Sequence, residues 1–513
     1  MMDTKFTRRR FLTWLSAGVT YVALANTVGC EPAERTSKAK PTTTSQPAQP
    51  GRAVAYGSQP APQRGVWNFR SRPDLSPPVV EVAKKAHDTA PGYIFVAPEE
   101  GVASQGGSMI VDDRGEVVWF RPLQGRYGRE HDLKVQSYRG KSVLTWMDGV
   151  NEYVIVDHTY HEIARLSAGN GRNGDHHEFL ISPQDTALIT IYDKVPRDLS
   201  ALGGSKDSVV WQGIVQELDI ETGEVLFEWH SLDHVGLDET YATLSQDGRP
   251  GFDYFHVNSI EVDNDSNLIV SARQTFAVYK IDRKSGEVIW RLGGKMSDFQ
   301  MGPGSRFAFQ HDARRQRDGT ISIFDNGTTV FHSNVPEAVE GSRGIVLELD
   351  EEQMSASLVR EYTHPDEQHA HAAGNVQVLP NGNVFVGWGR ALAISEFSKD
   401  GELLFDARLP PNSRSYRYFR FPWSGHPTDR PAAVAERTSE EELEVYASWN
   451  GATEVSSWEV LAGPRPDQME PLGSVPRNGF ETAMVVQSPH PYVAVRAKDR
   501  SGQALGTTAP VTL

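Results

Sequence analysis

Residues 219–229 read DIETGEVLFEW: acidic residues, a tight turn closed by Gly223, a glutamate, then a run of strand formers. The same pattern stands at 112–120 (DDRGEVVWF), 282–292 (DRKSGEVIWRL) and 398–409 (SKDGELLFDARL). The four turn glycines, Gly115, Gly223, Gly286 and Gly401, lie 108, 63 and 115 residues apart, so each wide gap has room for one more copy. Degenerate copies fill both gaps, DHTYHEIARL at 157–166 and LDEEQMSASLVREY at 349–362. The result is six outer hairpins at a period of about 55 residues. A four-stranded unit of that length has two apolar faces and must bury both against its neighbours. The chain is therefore expected to be all-β, with a six-bladed β-propeller over residues 65–426.

Ahead of each outer hairpin lies an inner strand pair, and five of the six pairs begin with histidine: His131, His177, His256, His311 and His371. The pair near PGYIFVAP (91–98) lacks one. The innermost strands of a propeller run in one direction, so their starts meet around one end of the central channel. Five histidines in register then converge on one funnel, which is a candidate site. Taken singly, each histidine also suits a strand end where an imidazole bonds a neighbouring carbonyl.

After Leu409 the run YRYFRFPW (416–423) is expected to close the ring by adding a strand to the first blade, because an open ring leaves unpaired edges. From Pro427 the texture changes to alternating strands such as LEVYASWNGATEVSSWEVLAG. Residues 427–513 suit a small β-sandwich of immunoglobulin or fibronectin type, an appended binding or packing module.

The N-terminus carries a processing signal. Thr7-Arg8-Arg9-Arg10-Phe11-Leu12 matches the twin-arginine export pattern, and the apolar stretch that follows is too short for a comfortable membrane span. It ends in Val28-Gly29-Cys30, which resembles a bacterial lipoprotein cleavage box, with Thr27 where that box usually has leucine. Residues 1–29 are thus expected to be a twin-arginine signal peptide, an N-terminal anchor or ordinary signal peptide being the alternative. Cys30, the only cysteine, is the expected lipidation point, and residues 30–64, rich in Pro, Thr, Ser and Gln, a flexible tether. The expected location is the periplasm or cell envelope, with membrane contact only through the lipid. A net charge of −16 argues against nucleic acid and against a broad interface with anionic membranes.

Three stretches, FHVNSIEVDNDSNLIVSARQ (255–274), FQHDARRQRDGTISIFDNG (309–327) and GNVQVLPNGNVFVGWG (374–389), resemble the bacterial and fungal arylsulfotransferase family, whose fold is a six-bladed propeller. The resemblance implies transfer of a sulfuryl group from a phenolic sulfate ester to a phenol through a sulfated histidine, with no nucleotide donor and no cofactor. The family pattern HVNSI falls on His256 and Asn258, and QH…FDNG falls on His311 and Asn326. Catalytic roles are then expected of His256, His311 and, by position alone, His371, and substrate binding of His177, Asn258, Arg273 and Asn326. The chemistry suits these residue types. Neutral imidazole is a competent nucleophile, and a loose transition state with charge on peripheral oxygens asks for several converging donors. Two departures stand out. The characterised branch carries an arginine shortly after FDNG and a disulfide beside the site, whereas this chain reads FDNGTTVFHSN and has one cysteine. Arg273, Arg314, Arg315 and Arg343 are the candidate replacements.

The same histidines also admit a metal-binding or quinoprotein-like site, with Asp175, Glu178 and Asp312 as nearby carboxylates. A third reading is a non-catalytic binding propeller of the cell envelope. The export reading has its own test. Fatty-acid label should be lost in a Cys30→Ala variant, and replacing Arg8 and Arg9 by lysine should leave precursor in the cytoplasm; label retained without Cys30 removes the lipid anchor.

Overall fold

The computed structural model describes residues 65–99, 104–123, 130–149, 151–244, 251–327 and 340–513, together with Pro62 and the short strand Val54–Ala55. The export signal, Cys30 and most of the tether lie outside the described residues. The chain is all-β: beyond two 3-10 turns, one four-residue helix, Ser231–His234, is found among the described residues. No helix there is long and apolar enough to cross a membrane.

Six antiparallel sheets, among the described residues, are each built on four strands. Sheet 2 runs His131–Tyr138, Lys141–Asp148, Glu152–Val156, Glu162–Ser167, and sheet 3 runs Gly174–Ile181, Thr186–Arg197, Ser208–Asp219, Val225–His230. Sheet 4 runs Val257–Val262, Leu268–Ala272, Ala277–Ile281, Val288–Gly293, and sheet 5 runs His311–Arg315, Ile321–Asp325, Arg343–Asp350, Ser355–Tyr362. Sheet 6 holds Asn375–Val378, Val384–Gly387, Ala393–Phe397 and Leu403–Arg408, with Glu81–Lys84 added at its far edge. Sheet 1 takes Tyr93–Val96, Gly107–Val111 and Val117–Pro122 from the start of the chain and Tyr418–Phe421 from far beyond them, paired Tyr418 to Val96 through Phe421 to Tyr93. The run 416–423 therefore supplies the closing strand. The leading strands of sheets 2 to 6 touch in order, the last meets Tyr418–Phe421, and that strand meets His131–Tyr138. The six form a ring.

Both faces of the inner sheets are apolar because both are covered. Leu268–Ala272 and Ala277–Ile281 are buried throughout, and the core is a set of seams between adjacent sheets. Trp119 and Ile110 of sheet 1 pack with Trp146 and Val154 of sheet 2, for example, and Phe385 and Phe405 of sheet 6 close back on Ile94 and Met109 of sheet 1. The outer turns obey the repeat. Gly115, Gly223, Gly286 and Gly401 all have φ between 73° and 90°, the left-handed region that glycine enters without a Cβ clash. In the two degenerate copies Tyr160 (φ 64°) and Met354 (φ 50°) take that conformation. The C-terminal residues form two further sheets around a core of their own that includes Leu443, Val445, Trp458, Val460, Val486 and Val493, and Val54–Ala55 pairs with Glu481–Gln487 at the edge of one of them. Asn450 ties this part to sheet 1 by accepting from the Phe120 N–H at 2.9 Å and donating to the Phe120 carbonyl at 2.8 Å.

Five buried charges and the partly buried Arg314 bridge the middle of the ring. Arg417, just ahead of the closing strand and fully buried, donates to Asp132 at 2.8 Å and Glu178 at 3.2 Å, and its Nε stands 3.3 Å from Asp312. Lys134 donates to Asp132 (2.6 Å) and Glu178 (2.7 Å), and Arg314 to Asp312 (2.7 Å) and Glu178 (2.5 Å). Burial opposes ionisation of Glu178, yet Arg314, Arg417 and Lys134 together hold its carboxyl below the ordinary glutamate range. Among these six, three acids face three bases, with Glu261 a further carboxylate 3.4 Å from Arg314, and the cluster joins sheets 2, 3 and 5 to the closing strand. Removing one partner of such a cluster strands the others, so Arg417→Met should cost about 3–5 kcal/mol in urea unfolding. Gly223→Ala meets open space and should cost about 1 kcal/mol from backbone strain alone; an unchanged midpoint in either variant contradicts the assignment.

Candidate active site

Four leading strands share one local device. The register slips after His131, between Gly174 and Phe179, after Val257, and after His311, each slip marking a β-bulge. Asp132 (φ 59°) and Asp312 (φ 58°) follow their histidines in the left-handed region, and His256 (φ 57°) adopts it itself. A bulge breaks the strict alternation of side chains and re-aims one of them. Here it turns Asp132 and Asp312 into the charge cluster while the preceding histidines join a different group.

That group is a ring of imidazoles around Tyr416. The Tyr416 ring centroid lies 6.1 Å from that of His131, 6.4 Å from His176, 5.4 Å from His177 and 6.2 Å from His311, all edge to face. His131 is 4.7 Å from His176, His176 stacks on His177 at 4.4 Å, and His177 meets His256 edge-on at 5.0 Å. Tyr192 lies 5.3 Å from both His177 and His256 and donates its hydroxyl to the Val257 carbonyl at 2.6 Å. Position in the chain explains Tyr416: it immediately precedes Arg417, so the charge cluster anchors its backbone. Burial pushes the phenols of both tyrosines above their ordinary value, which keeps them protonated.

Two of the imidazoles are backed by carboxylates. His177 Nδ1 is bonded to Asp175 Oδ1, and His176 Nδ1 lies 3.4 Å from Asp175 Oδ2. His256 Nδ1 is 2.5 Å from Asp253 Oδ2. Burial works against ionisation of both acids, but the neighbouring histidines outweigh it and hold Asp175 and Asp253 below the usual carboxylate range. The long hairpin of sheet 3 delivers Asp253. Phe252–Asp253 adds in parallel to Ser208–Asp219, with Asp253 beside Trp211, and so stands one turn ahead of His256. A carboxylate on Nδ1 fixes the tautomer and leaves Nε2 to carry the lone pair.

His311 is different. Its Nδ1 donates to Asn326 Oδ1 at 2.7 Å and to the Phe309 carbonyl at 3.0 Å, and its Nε2 accepts the Ala373 N–H at 3.2 Å. Burial, then the nearby Arg273 charge, pulls its pKa well below the ordinary value, so the ring is neutral with both nitrogens engaged. It pins the segment 370–373 to sheet 5. Asn326 shares that task, its amide donating to the carbonyls of Ala370 (2.6 Å) and Ala373 (3.0 Å). Asn258 is likewise fully buried and donates to the Gln310 carbonyl at 2.8 Å. The two asparagines expected at the substrate thus hold backbone. His371 is exposed four residues ahead of its strand, and its carbonyl accepts Arg273 Nη2 at 3.2 Å. His364 is buried against Asp406 at 3.0 Å, away from the ring of imidazoles.

Among the candidate arginines, Arg314 and Arg315 are bound to buried acids and Arg343 to Asp325 at 3.0 Å. Arg273 lies over the Phe309 ring at 4.8 Å and acts electrostatically on His311, Asp253 and Tyr192, which places it at the imidazole end. The segment after Gly327, where the characterised branch has its arginine, lies outside the described residues. His176, Tyr192, Tyr416 and Asp253 are the participants that sequence reasoning missed. The His176-His177 pair was the available signal, but strict alternation sends adjacent residues to opposite faces, and only the bulge brings both rings together. Asp175, His176 and His177 place one donor atom each within 4.8 Å of one another, a set that fits a divalent cation.

No curated protein matches the sequence. Among solved structures, a protein of unknown function from Bacteroides caccae is 12% identical, with a TM-score of 0.39 over 64% of this chain and 98% of that one. A catalytically inactive virginiamycin B lyase from Staphylococcus aureus, solved with quinupristin, is 8% identical, with a TM-score of 0.34 over 79% of this chain and 99% of that one. Likeness at this level carries no argument about activity. The family model described as arylsulfotransferase (ASST) matches residues 134–409, more than half of the sequence, and the chain belongs to that family.

Proposed function

We propose that this protein is an exported aryl sulfotransferase that moves a sulfuryl group from a phenolic sulfate ester to a phenolic acceptor through a sulfohistidine. In this reading the six sheets are the blades of a six-bladed β-propeller, residues 427–513 are an appended immunoglobulin- or fibronectin-like sandwich, and a lipid on Cys30 holds the protein at the cell envelope. One observation carries the chemistry: His177 and His256 meet at 5.0 Å, each with Nδ1 tied to its own carboxylate, at the end of the ring where Arg273 stands.

The division of labour follows from that pair. The Nε2 lone pair of one imidazole attacks sulfur, the N–S bond forms, and the S–O bond to the aryl group breaks. The second imidazole enters the step protonated on Nε2 as well, with its carboxylate as counter-ion, and gives that proton to the departing phenolate. In the return step the acceptor phenol passes its proton to that imidazole, its oxygen attacks sulfur, and the N–S bond breaks. Arg273 supplies positive charge where the family's characterised branch uses the arginine after FDNG, and the protonated Tyr416 and Tyr192 rings wall the site. The donor set Asp175, His176 and His177 supports a second reading, in which a divalent cation sits at the same histidines.

Initial-rate lines at varied aryl sulfate should be parallel for different phenol concentrations, as a covalent intermediate requires. His177→Ala and His256→Ala should each lower kcat by about 10²–10³ while the protein still folds. Rapid quench and peptide mapping should find sulfate on His177 or His256; label on His371 instead contradicts this assignment. Stoichiometric metal in purified protein that turns over no aryl sulfate favours the cation reading. His311 adds a pH dependence. Its folded pKa lies below the unfolded value of about 6.5, so the unfolded chain binds the extra proton and stability falls as pH drops from there. Urea midpoints at pH 7 and pH 5 should differ more in the wild type than in His311→Gln.

A further inference from the structure

A cavity of about 530 Å³ opens between sheet 1 and the C-terminal sheets, and no member of the imidazole cluster lines it. Its walls include Tyr93, Trp423, Arg114, Glu454, Arg477 and Arg500. Asn450, clamped to Phe120, fixes the two parts against each other beside it.

The three arginines are not equivalent. Arg114 is committed to Asp112 at 2.9 Å and Glu116 at 3.3 Å, one cation held between two acids. Arg477 is partly buried and donates only to backbone carbonyls, Nη1 to Ala452 at 2.6 Å and Nε to Gly479 at 3.0 Å. No carboxylate among the described residues is bonded to it, and burial pulls its guanidinium below the ordinary value. Arg500, exposed at the turn after Asp499, likewise has no ion pair among the described residues. Glu454 accepts from the Ser424 and Thr453 hydroxyls at 2.9 and 3.4 Å. Asp112 and Glu116, on the same cavity wall, act on Arg477 through space without forming an ion pair with it, and an oxyanion in the cavity supplies the direct partner that its guanidinium lacks. The planar guanidinium fork matches an oxyanion with two equivalent oxygens, while Tyr93, Trp423, Val117 and Val455 offer apolar surface for whatever carries it.

We propose that this cavity binds an organic oxyanion, a carboxylate or sulfate headgroup on an aromatic or saccharide ring, with Arg477 and Arg500 holding the headgroup and Tyr93 and Trp423 the ring. The site is independent of sulfuryl transfer, and it gives the C-terminal part a function, to join a ligand to the ring from the side. Benzoate, which has no sulfuryl group to transfer, is the probe, and isothermal titration of the full chain at constant ionic strength is the measurement. One equivalent of benzoate should bind saturably, and benzyl alcohol, its neutral analogue, should not. Arg477→Met should abolish binding. Arg500→Met, at an exposed side chain whose loss leaves the fold intact, should weaken it about tenfold. His256→Ala should leave it unchanged. Absence of saturable binding, equal affinity in Arg500→Met, or loss of binding in His256→Ala each overturns the proposal.

Discussion

The buried cluster of Asp132, Lys134, Glu178, Asp312, Arg314 and Arg417 is the constraint on which the molecule turns. Ions in such a place rarely add much net stability over a well-packed apolar core, but they specify an arrangement, because any misalignment strands a charge. Here they specify how the leading strands of sheets 2, 3 and 5 stand relative to the closing strand. Sheet packing alone leaves that open, since apolar seams tolerate small slips. The bulges that turn Asp132 and Asp312 inward to Arg417 also set the directions of His131 and His311, so the charge cluster and the imidazoles are two outputs of one backbone device.

The fold was legible because its repeat is written in turn chemistry. A left-handed turn selects glycine, and four of six copies kept it; Tyr160 and Met354 show how the other two faded, with the conformation retained and the residue lost. Tyr160 has a reason to be there, since its hydroxyl donates to the Gly451 carbonyl at 2.8 Å and joins the outer turn of sheet 2 to the C-terminal part. The closing strand was legible from the need to satisfy an edge.

The site was legible in outline and not in detail. Histidines at the starts of successive repeats pointed to one end of the ring, and His131, His177 and His311 do gather around Tyr416, with His256 against His177. Roles were harder to read, because role depends on what each ring nitrogen touches. His256 and His311 occupy matching family motifs, yet one is backed by a carboxylate and the other is locked between Asn326 and the Ala373 N–H. Asn258 and Asn326 look like ligand contacts in a motif and serve as backbone fasteners in the structure. Tyr416 carried no signal of its own; its place follows from Arg417, and nothing local announces a buried ion cluster.

The closing strand has a consequence for how the chain reaches this state. Tyr418–Phe421 pairs with a strand more than 300 residues earlier, so the ring stays open until almost all of it has been synthesised. The equilibrium cost of so large a loop is small, since closure entropy grows only with the logarithm of its length. Time is the greater expense. Until Phe421 arrives, Tyr93–Val96 offers an unpaired edge on one side, and pairing this remote is slow to find. Once found, it works as a latch: neither end of the ring can fray without breaking the hydrogen bonds between Tyr418–Phe421 and Tyr93–Val96. Where unfolding is irreversible, the half-life of such a protein is set by the rate at which that latch opens more than by its net free energy.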